Sequence, residues 1–484
     1  MTPSRPQLLT YPDSLGGGLG ALGDLLEGPL RGLFRGVHVL PPYPSSSDRG
    51  FAPRTYDEID PRLGTWADIA RLTSSHEVML DVMVNHISRQ SPEFRDVEAR
   101  GMASAFADLF ITPGKVWPGG RVPPEDLARL FLRRSVGPFS TITTRSGERL
   151  TVWTTFGEGE VSEQVDIDVF SAPGRRLIAG WMAAFAARGV SVLRLDAVGY
   201  VVKKAGTTCF MVEPEIWDFL DWARDTAAQV GLEVLAEVHD RIATRDHFTS
   251  RGYWTYDFVL PGLVLLAAET GDTGGLARHL ASSPRTQVTV LDCHDGIPVR
   301  PDLEGVVAAD GMRRLAELAA RRGGNVNRVL QAAAEPGAVD AHQLNLTYYS
   351  ALGEDDGRYL AARALQLFAP GLPQVYYVGL LAGANDSAAV ARTGEGRAIN
   401  RHDFTLAEVH EALGRPVVQE LTHLIRLRNT HPAFDGDLTV RQGGRELRLA
   451  WTRGEDVCEL AIDLAAGRYA VSATGTTLAG LPTT

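Results

Sequence analysis

Three short apolar runs in this chain each end in a carboxylate: Ser191-Val-Leu-Arg-Leu-Asp196, Leu232-Glu-Val-Leu-Ala-Glu237 and Val288-Thr-Val-Leu-Asp-Cys-His-Asp295. Branched aliphatic residues packed into so short a span mark strands buried on both faces, as in a parallel sheet covered by helices. Each acid falls where its strand should stop and a loop begin. Parallel α/β barrels build their active sites at that end of the strands. The pattern therefore constrains fold and chemistry together, and three converging acids suit glycosidic-bond chemistry best.

The surrounding sequence supplies the matching rhythm. Strands are expected at Gln7 to Thr10, Gly36 to Leu40 and Glu77 to Val84, with helices at about Ala21 to Leu26 and Trp66 to Ser74 between them. Alternation of this kind is the sign of βαβ units. It breaks after His86, where scattered Pro, Gly and charge extend to Gln164, and resumes with a helix over Ala172 to Arg188. A second interruption follows Asp295, with a helix at Arg313 to Arg322 and a loop at Ala332 to Gly337. From Pro432 onward apolar and polar residues alternate, as in a small β-domain. The expected organisation is barrel segments 1–86, 165–295 and 350–431, inserted domains over 87–164 and 296–349, and a C-terminal β-domain over 432–484.

Composition narrows the function classes. Hydrophobic residues make up 44% and charged residues 22%, as in a globular protein. A formal net charge of −11 argues against a general nucleic-acid binder. Cys209, Cys293 and Cys458 are too scattered for a disulfide framework or a zinc site, which favours a reduced, cytoplasmic setting. The N-terminal residues lack an apolar core of signal-peptide length. No window approaches the roughly 18 apolar residues of a membrane helix, so no membrane partner is expected.

Retaining cleavage of a glycosidic bond needs one ionised carboxyl group to attack and one protonated group to give its proton to the leaving oxygen. Arg194, two residues before Asp196, favours the charged form of that acid, which makes Asp196 the nucleophile. Glu237 lies among Val234, Leu235, Ala236 and Val238, where desolvation favours an acid/base catalyst. Asp295, beside His294, is the third acid, able to hold sugar hydroxyls. Each residue alone has a plainer explanation. An acid at a strand end can cap a helix, and His86, His239 and His294 can be ordinary loop histidines.

Taken together, Asp81-Val-Met-Val-Asn85-His86, Leu193-Arg194-Leu-Asp196-Ala, Ala236-Glu237-Val-His239 and Leu291-Asp-Cys-His294-Asp295 resemble the four signature regions of the α-amylase superfamily. The resemblance implies an α/β fold: a (β/α)8 TIM barrel with inserted domains after strands 3 and 7 and a C-terminal β-domain. It assigns the catalytic roles to Asp196, Glu237 and Asp295. A narrower resemblance, to the sucrose phosphorylase subgroup, rests on Leu9-Thr-Tyr-Pro-Asp-Ser-Leu-Gly, Asp48-Arg-Gly-Phe51, Gln164-Val-Asp-Ile-Asp168, Arg194-Leu-Asp-Ala-Val-Gly-Tyr200, Pro373-Gln-Val-Tyr-Tyr-Val-Gly and Ile399-Asn-Arg-His402. It implies attack of inorganic phosphate on a β-glucosyl-enzyme. The implied sugar-binding residues are Asp48, Phe51, His86, Gln164, Arg194, His239, His294 and Arg401. No cofactor and no metal are expected, and no protein partner is named.

The leaving sugar is the open point. Typical sucrose phosphorylases read Tyr-Arg-Pro-Arg-Pro in one acceptor loop and Leu-Asp-Leu-Tyr-Gln in another. This chain has Phe131-Leu-Arg133-Arg134-Ser135 and Val339-Asp340-Ala-His342-Gln343. An arginine in place of a proline at 133 and a histidine in place of a tyrosine at 342 suit a phosphate ester, since a guanidinium fork matches its oxygens and a nearby dianion favours imidazolium. Arg133, Arg134, Asp340, His342 and Gln343 are the expected acceptor and phosphate residues. Sucrose 6′-phosphate is the favoured substrate, and plain sucrose and glucosylglycerate are the alternatives. A hydrolase or transglucosidase on the same barrel is the competing class.

Overall fold

The computed structural model describes residues 1, 4–299, 306–307, 310–328 and 341–475, with side chains omitted at 326–328 and 341–342. Eight strands close into a barrel in chain order: β1 (Gln7–Thr10), β2 (Gly36–Val39), β3 (Glu77–Met83), β4 (Val192–Asp196), β5 (Glu233–Ala236), β6 (Trp254–Asp257), β7 (Gln287–Thr289) and β8 (Leu372–Tyr376). Neighbours such as β3 and β4, or β7 and β8, run parallel. The strands are buried along almost their whole length, as their aliphatic content demands. This is the expected TIM-barrel class.

The expected first three strands and the Ala172–Ala187 helix lie where the sequence places them, to within a residue or two. The helix expected past Asp295 lies at Gly311–Arg321, and the loop 332–337 lies outside the described residues. Two strands have no aliphatic run to announce them: β6 reads Trp-Thr-Tyr-Asp, and β8 reads Leu-Pro-Gln-Val-Tyr. Among the described residues no helix is long and apolar enough to cross a membrane.

The chain gathers into two compact units. Of the described residues, one holds those of 39–238, and the other holds those of 1–38, 239–328 and 341–475. In the second unit an antiparallel four-stranded sheet, β9 (Asp437–Gly443), β10 (Glu446–Arg453), β11 (Asp456–Asp463) and β12 (Arg468–Ala473), forms the C-terminal β-domain. It is joined to the barrel elements by Arg428, which is fully buried. Its Nε donates to Ser4 O at 2.8 Å and its Nη2 to Gly371 O at 2.8 Å, while its guanidinium lies 4.5 Å from the Phe434 ring and 5.2 Å from that of Trp451.

Candidate active site

Asp196 is the last residue of β4, and Glu237 follows β5 directly. The β4–β5 register pairs Leu195 with Ala236, and Glu237 N–H extends the ladder by donating to Leu195 O at 3.2 Å. On the other side Asp196 is in register with Met83 of β3. The backbone beneath both acids is thus fixed by sheet hydrogen bonds. Ala197 then turns with φ 53°, a left-handed conformation rare for a residue with a Cβ. That turn lets its N–H donate to Glu237 Oε2 at 3.0 Å.

Arg194 lies beneath both acids with its side chain 4% exposed. Its Nη1 is 2.9 Å from Asp196 Oδ1 and its Nη2 is 2.9 Å from Glu237 Oε1. Nη1 also pairs with Asp81, which is wholly buried on β3. Sequence reasoning tied Arg194 to Asp196 alone. The structure shares it among three carboxyl groups, so its charge does not by itself tell nucleophile from acid. Asp81 is thus a third member of the cluster that its place in the Asp81–His86 motif does not by itself announce.

In the same unit two of the expected sugar-binding residues, His86 and Gln164, meet at the carbonyl of a third, Phe51. His86 Nε2 lies 3.0 Å from Phe51 O, and Gln164 Nε2 donates to the same oxygen at 3.0 Å. His86 and Gln164 sit on paired antiparallel strands, His86–Ser88 and Gln164–Asp166. Burial pulls the His86 imidazole below its ordinary pKa, against the opposing charge of Asp166. Phe51 is positioned by a tight turn in which Asp48, Arg49 and Gly50 take φ of 49°, 46° and 106°. A Cβ on Gly50 would strike the carbonyl of Pro41, so only glycine fits there. Lys203, unassigned from sequence, braces the region: its buried ammonium is 2.8 Å from Asp166 Oδ2, 3.1 Å from Asn85 Oδ1 and 3.0 Å from Thr155 Oγ1.

Asp295 belongs to the other unit, and its support differs. The strand β7 stops at Thr289, so the expected run to Asp295 is only partly strand. Asp295 Oδ1 lies 3.0 Å from Arg397 Nη1, 3.4 Å from Arg401 Nη2 and 3.7 Å from His294 Nε2. Arg401 Nε also donates to His294 O at 2.7 Å. Tyr11 packs edge-on to His294 at 6.0 Å. His239 stacks flat on Phe258, with centroids 4.0 Å apart. Arg397 is a cation the sequence reading missed, although it stands four residues before Arg401.

The acceptor candidates divide. Arg134 is buried and holds a loop together: its Nε donates to Gly157 O at 3.1 Å, its Nη2 to Gly159 O at 2.5 Å, and its Nη1 to Thr154 O at 3.3 Å and to Thr154 Oγ1. Arg133 is half-exposed, with its guanidinium 5.9 Å from the Phe156 ring. It lines a recess together with Phe131, Tyr200 and Lys203. Gln343 is buried on the strand Ala341–Asn345, opposite Pro298 and Asn327. His342 lies on that strand, but its side chain is outside the described set, as is all of Asp340.

Comparison with known proteins agrees with this architecture. The model of the α-amylase catalytic domain matches residues 32–251. Over 465 residues the chain is 48% identical to the sucrose 6(F)-phosphate phosphorylase of Thermoanaerobacterium thermosaccharolyticum, covering 95% of each chain. It is 42% identical to the sucrose phosphorylase of Agrobacterium vitis over 482 residues, covering 97% of each. The crystal structure of sucrose 6F-phosphate phosphorylase from Thermoanaerobacter thermosaccharolyticum superposes with a TM-score of 0.95 at 46% identity, covering 97% of this chain and 96% of that one.

Proposed function

The chain belongs to the α-amylase family, in its branch of glycoside phosphorylases, and from that premise we propose that it cleaves sucrose 6′-phosphate with inorganic phosphate. The products are α-glucose 1-phosphate and fructose 6-phosphate. In the first step the Asp196 carboxylate attacks the anomeric carbon, the glycosidic C–O bond breaks, and Glu237 passes its proton to the departing oxygen of fructose 6-phosphate. In the second step a phosphate oxygen attacks the same carbon, Asp196 departs, and Glu237 takes up the phosphate proton. Asp295 holds sugar hydroxyls and steadies the oxocarbenium-like transition state. Asp48, Phe51, His86, Gln164, Arg194, His239, His294 and Arg401 form the glucose pocket, and Arg133, His342, Asp340 and Gln343 serve the acceptor side.

The observation that carries the mechanism is the single buried guanidinium shared by Asp196, Glu237 and Asp81. One cation among three carboxyl groups is the general condition under which one of them keeps a proton while another stays ionised. The leaving sugar rests on the 48% identity to the Thermoanaerobacterium phosphate-ester enzyme and on Arg133 and His342, which stand where typical sucrose phosphorylases have a proline and a tyrosine. The cysteine pattern supports a cytoplasmic setting.

The deciding experiment is phosphorolysis of sucrose and of its 6′-phosphate ester side by side. Faster glucose 1-phosphate release from the ester is expected, and comparable rates sink the specificity. Free glucose formed regardless of added phosphate points instead to a hydrolase.

A further inference from the structure

The segment that carries Asp295 has little ladder of its own. After β7 ends at Thr289, Val290 and Leu291 are buried, and a small bridge pairs Cys293 with Gly296. What holds the segment in register is a series of side chains from later in the chain. Asn400 Nδ2 donates to Cys293 O at 2.9 Å, and Arg401 Nε to His294 O at 2.7 Å. The first member is an ion pair. Arg363 Nη2 donates to Asp292 Oδ1 at 2.7 Å, with side chains 0% and 2% exposed.

Arg363 stands on the helix Asp356–Phe368 and is itself oriented on every side. Its Nε donates to Tyr359 Oη at 2.9 Å and its Nη1 to Gln366 Oε1 at 2.9 Å. Tyr359 in turn donates to Gly379 O. Gln366 Nε2 reaches Thr289 O at 3.1 Å, at the end of β7, and Gln374 O at 2.8 Å, in the middle of β8. The helix therefore grips the strand and the segment beyond it at once. Asp292 Oδ2 is buried and has no hydrogen-bond partner among the described residues. A buried, half-satisfied ion pair is poor value as a stabiliser, since apolar residues of similar size commonly do as well or better. What it adds over them is direction: a fixed donor fork and a fixed acceptor.

We propose that Arg363 is a positioning residue for Asp295, acting through Asp292 three residues upstream. This rests on the role given to Asp295 above. Displacement of a reacting group by about 1 Å from a distant change lowers turnover on the order of 10²-fold. Loss of the Arg363–Asp292 contact should act in that range on the formation of the glucosyl-enzyme.

The test measures turnover and thermal unfolding of the full chain, with α-glucosyl fluoride as a donor whose leaving group needs no acceptor site. Arg363→Met should lower both kcat and Tm. The paired change Arg363→Met with Asp292→Asn removes the buried unpaired charge, so Tm should recover while kcat stays low. Recovery of kcat together with Tm overturns the proposal. In the Asp295→Asn background, Arg363→Met should leave the residual rate unchanged, because contacting groups that act through one another are not additive; an additive loss also overturns it. Gly379→Ala is an independent probe, since its added Cβ would overlap the Arg363 guanidinium without changing any charge. It should reproduce the kcat loss, and an unchanged kcat with an unchanged Tm counts against the contact. These readouts hold with any glucosyl donor, so failure of wild type to use sucrose 6′-phosphate would count against the proposed function and leave this inference standing.

Discussion

Asp196 and Glu237 on one side and Asp295 on the other are held by different physics. The first pair sits on adjacent strands whose ladders run up to the acids themselves. The last acid sits six residues past the end of its strand and is placed by Asn400, Arg401 and Arg397 side chains. Backbone ladders tolerate side-chain changes around them, whereas a site built from side-chain contacts is only as rigid as each contact. The difference separates positions fixed by fold from positions that single substitutions can loosen.

The contrast can be broken or sharpened experimentally. Asp196→Asn should lower phosphorolysis on the order of 10⁴-fold or more, read as glucose 1-phosphate release; undiminished turnover would remove its role. Next, Arg194→Leu strands three carboxyl groups around a lost cation and should destabilise the protein by about 3–5 kcal/mol. Arg401→Leu should lower kcat with a smaller shift in denaturation midpoint. Equal shifts for the two variants would erase the distinction between the regions.

Arg134→Ala should weaken the 154–159 loop, with a loss of about 1.5–3 kcal/mol for a charged hydrogen-bonding group, followed by urea unfolding. If it instead leaves stability intact and weakens only fructose 6-phosphate binding, Arg134 belongs to the acceptor site after all.

The smallest effect concerns pH. His86 is held below its ordinary value of 6.5 by burial, so its contribution is complete above that value and declines as pH falls through the lowered one. Asp257, in the other unit, is buried, yet His279 and Arg245 bring its carboxyl down to about 2. Its contribution is complete above the ordinary 3.8 and is lost as pH falls through about 2. Amide exchange should therefore accelerate around His86–Ser88 at mildly acid pH, while the strand ending at Asp257 holds. The reverse order would contradict both assignments.

Much of this was legible in the sequence because buried parallel strands leave a compositional trace. Val192–Asp196 and Glu233–Ala236 are aliphatic runs with an acid at or just past the end, and both fall as expected. Trp254–Asp257 and Leu372–Tyr376 left no such trace, because they bury polar residues, Asp257 and Gln374, whose partners His279 and Gln7 lie elsewhere in the chain. The same reason hid the sharing of Arg194, the bracing by Lys203 and the placement of Arg134. An arginine on a loop looks free until the carbonyls of residues 154, 157 and 159 are folded around it.

Arg428 carries a consequence for anyone shortening the chain. Its charge is shielded by rings contributed by Phe434 and Trp451, while its donors close off carbonyls at Ser4 and Gly371. Deleting the terminal sheet would open that shield and hydrate a cation anchored at the foot of the first and last barrel staves. The tail is thus a keystone for closure of the cylinder, and trimming it should scatter the enzyme into aggregates sooner than yield a smaller working catalyst.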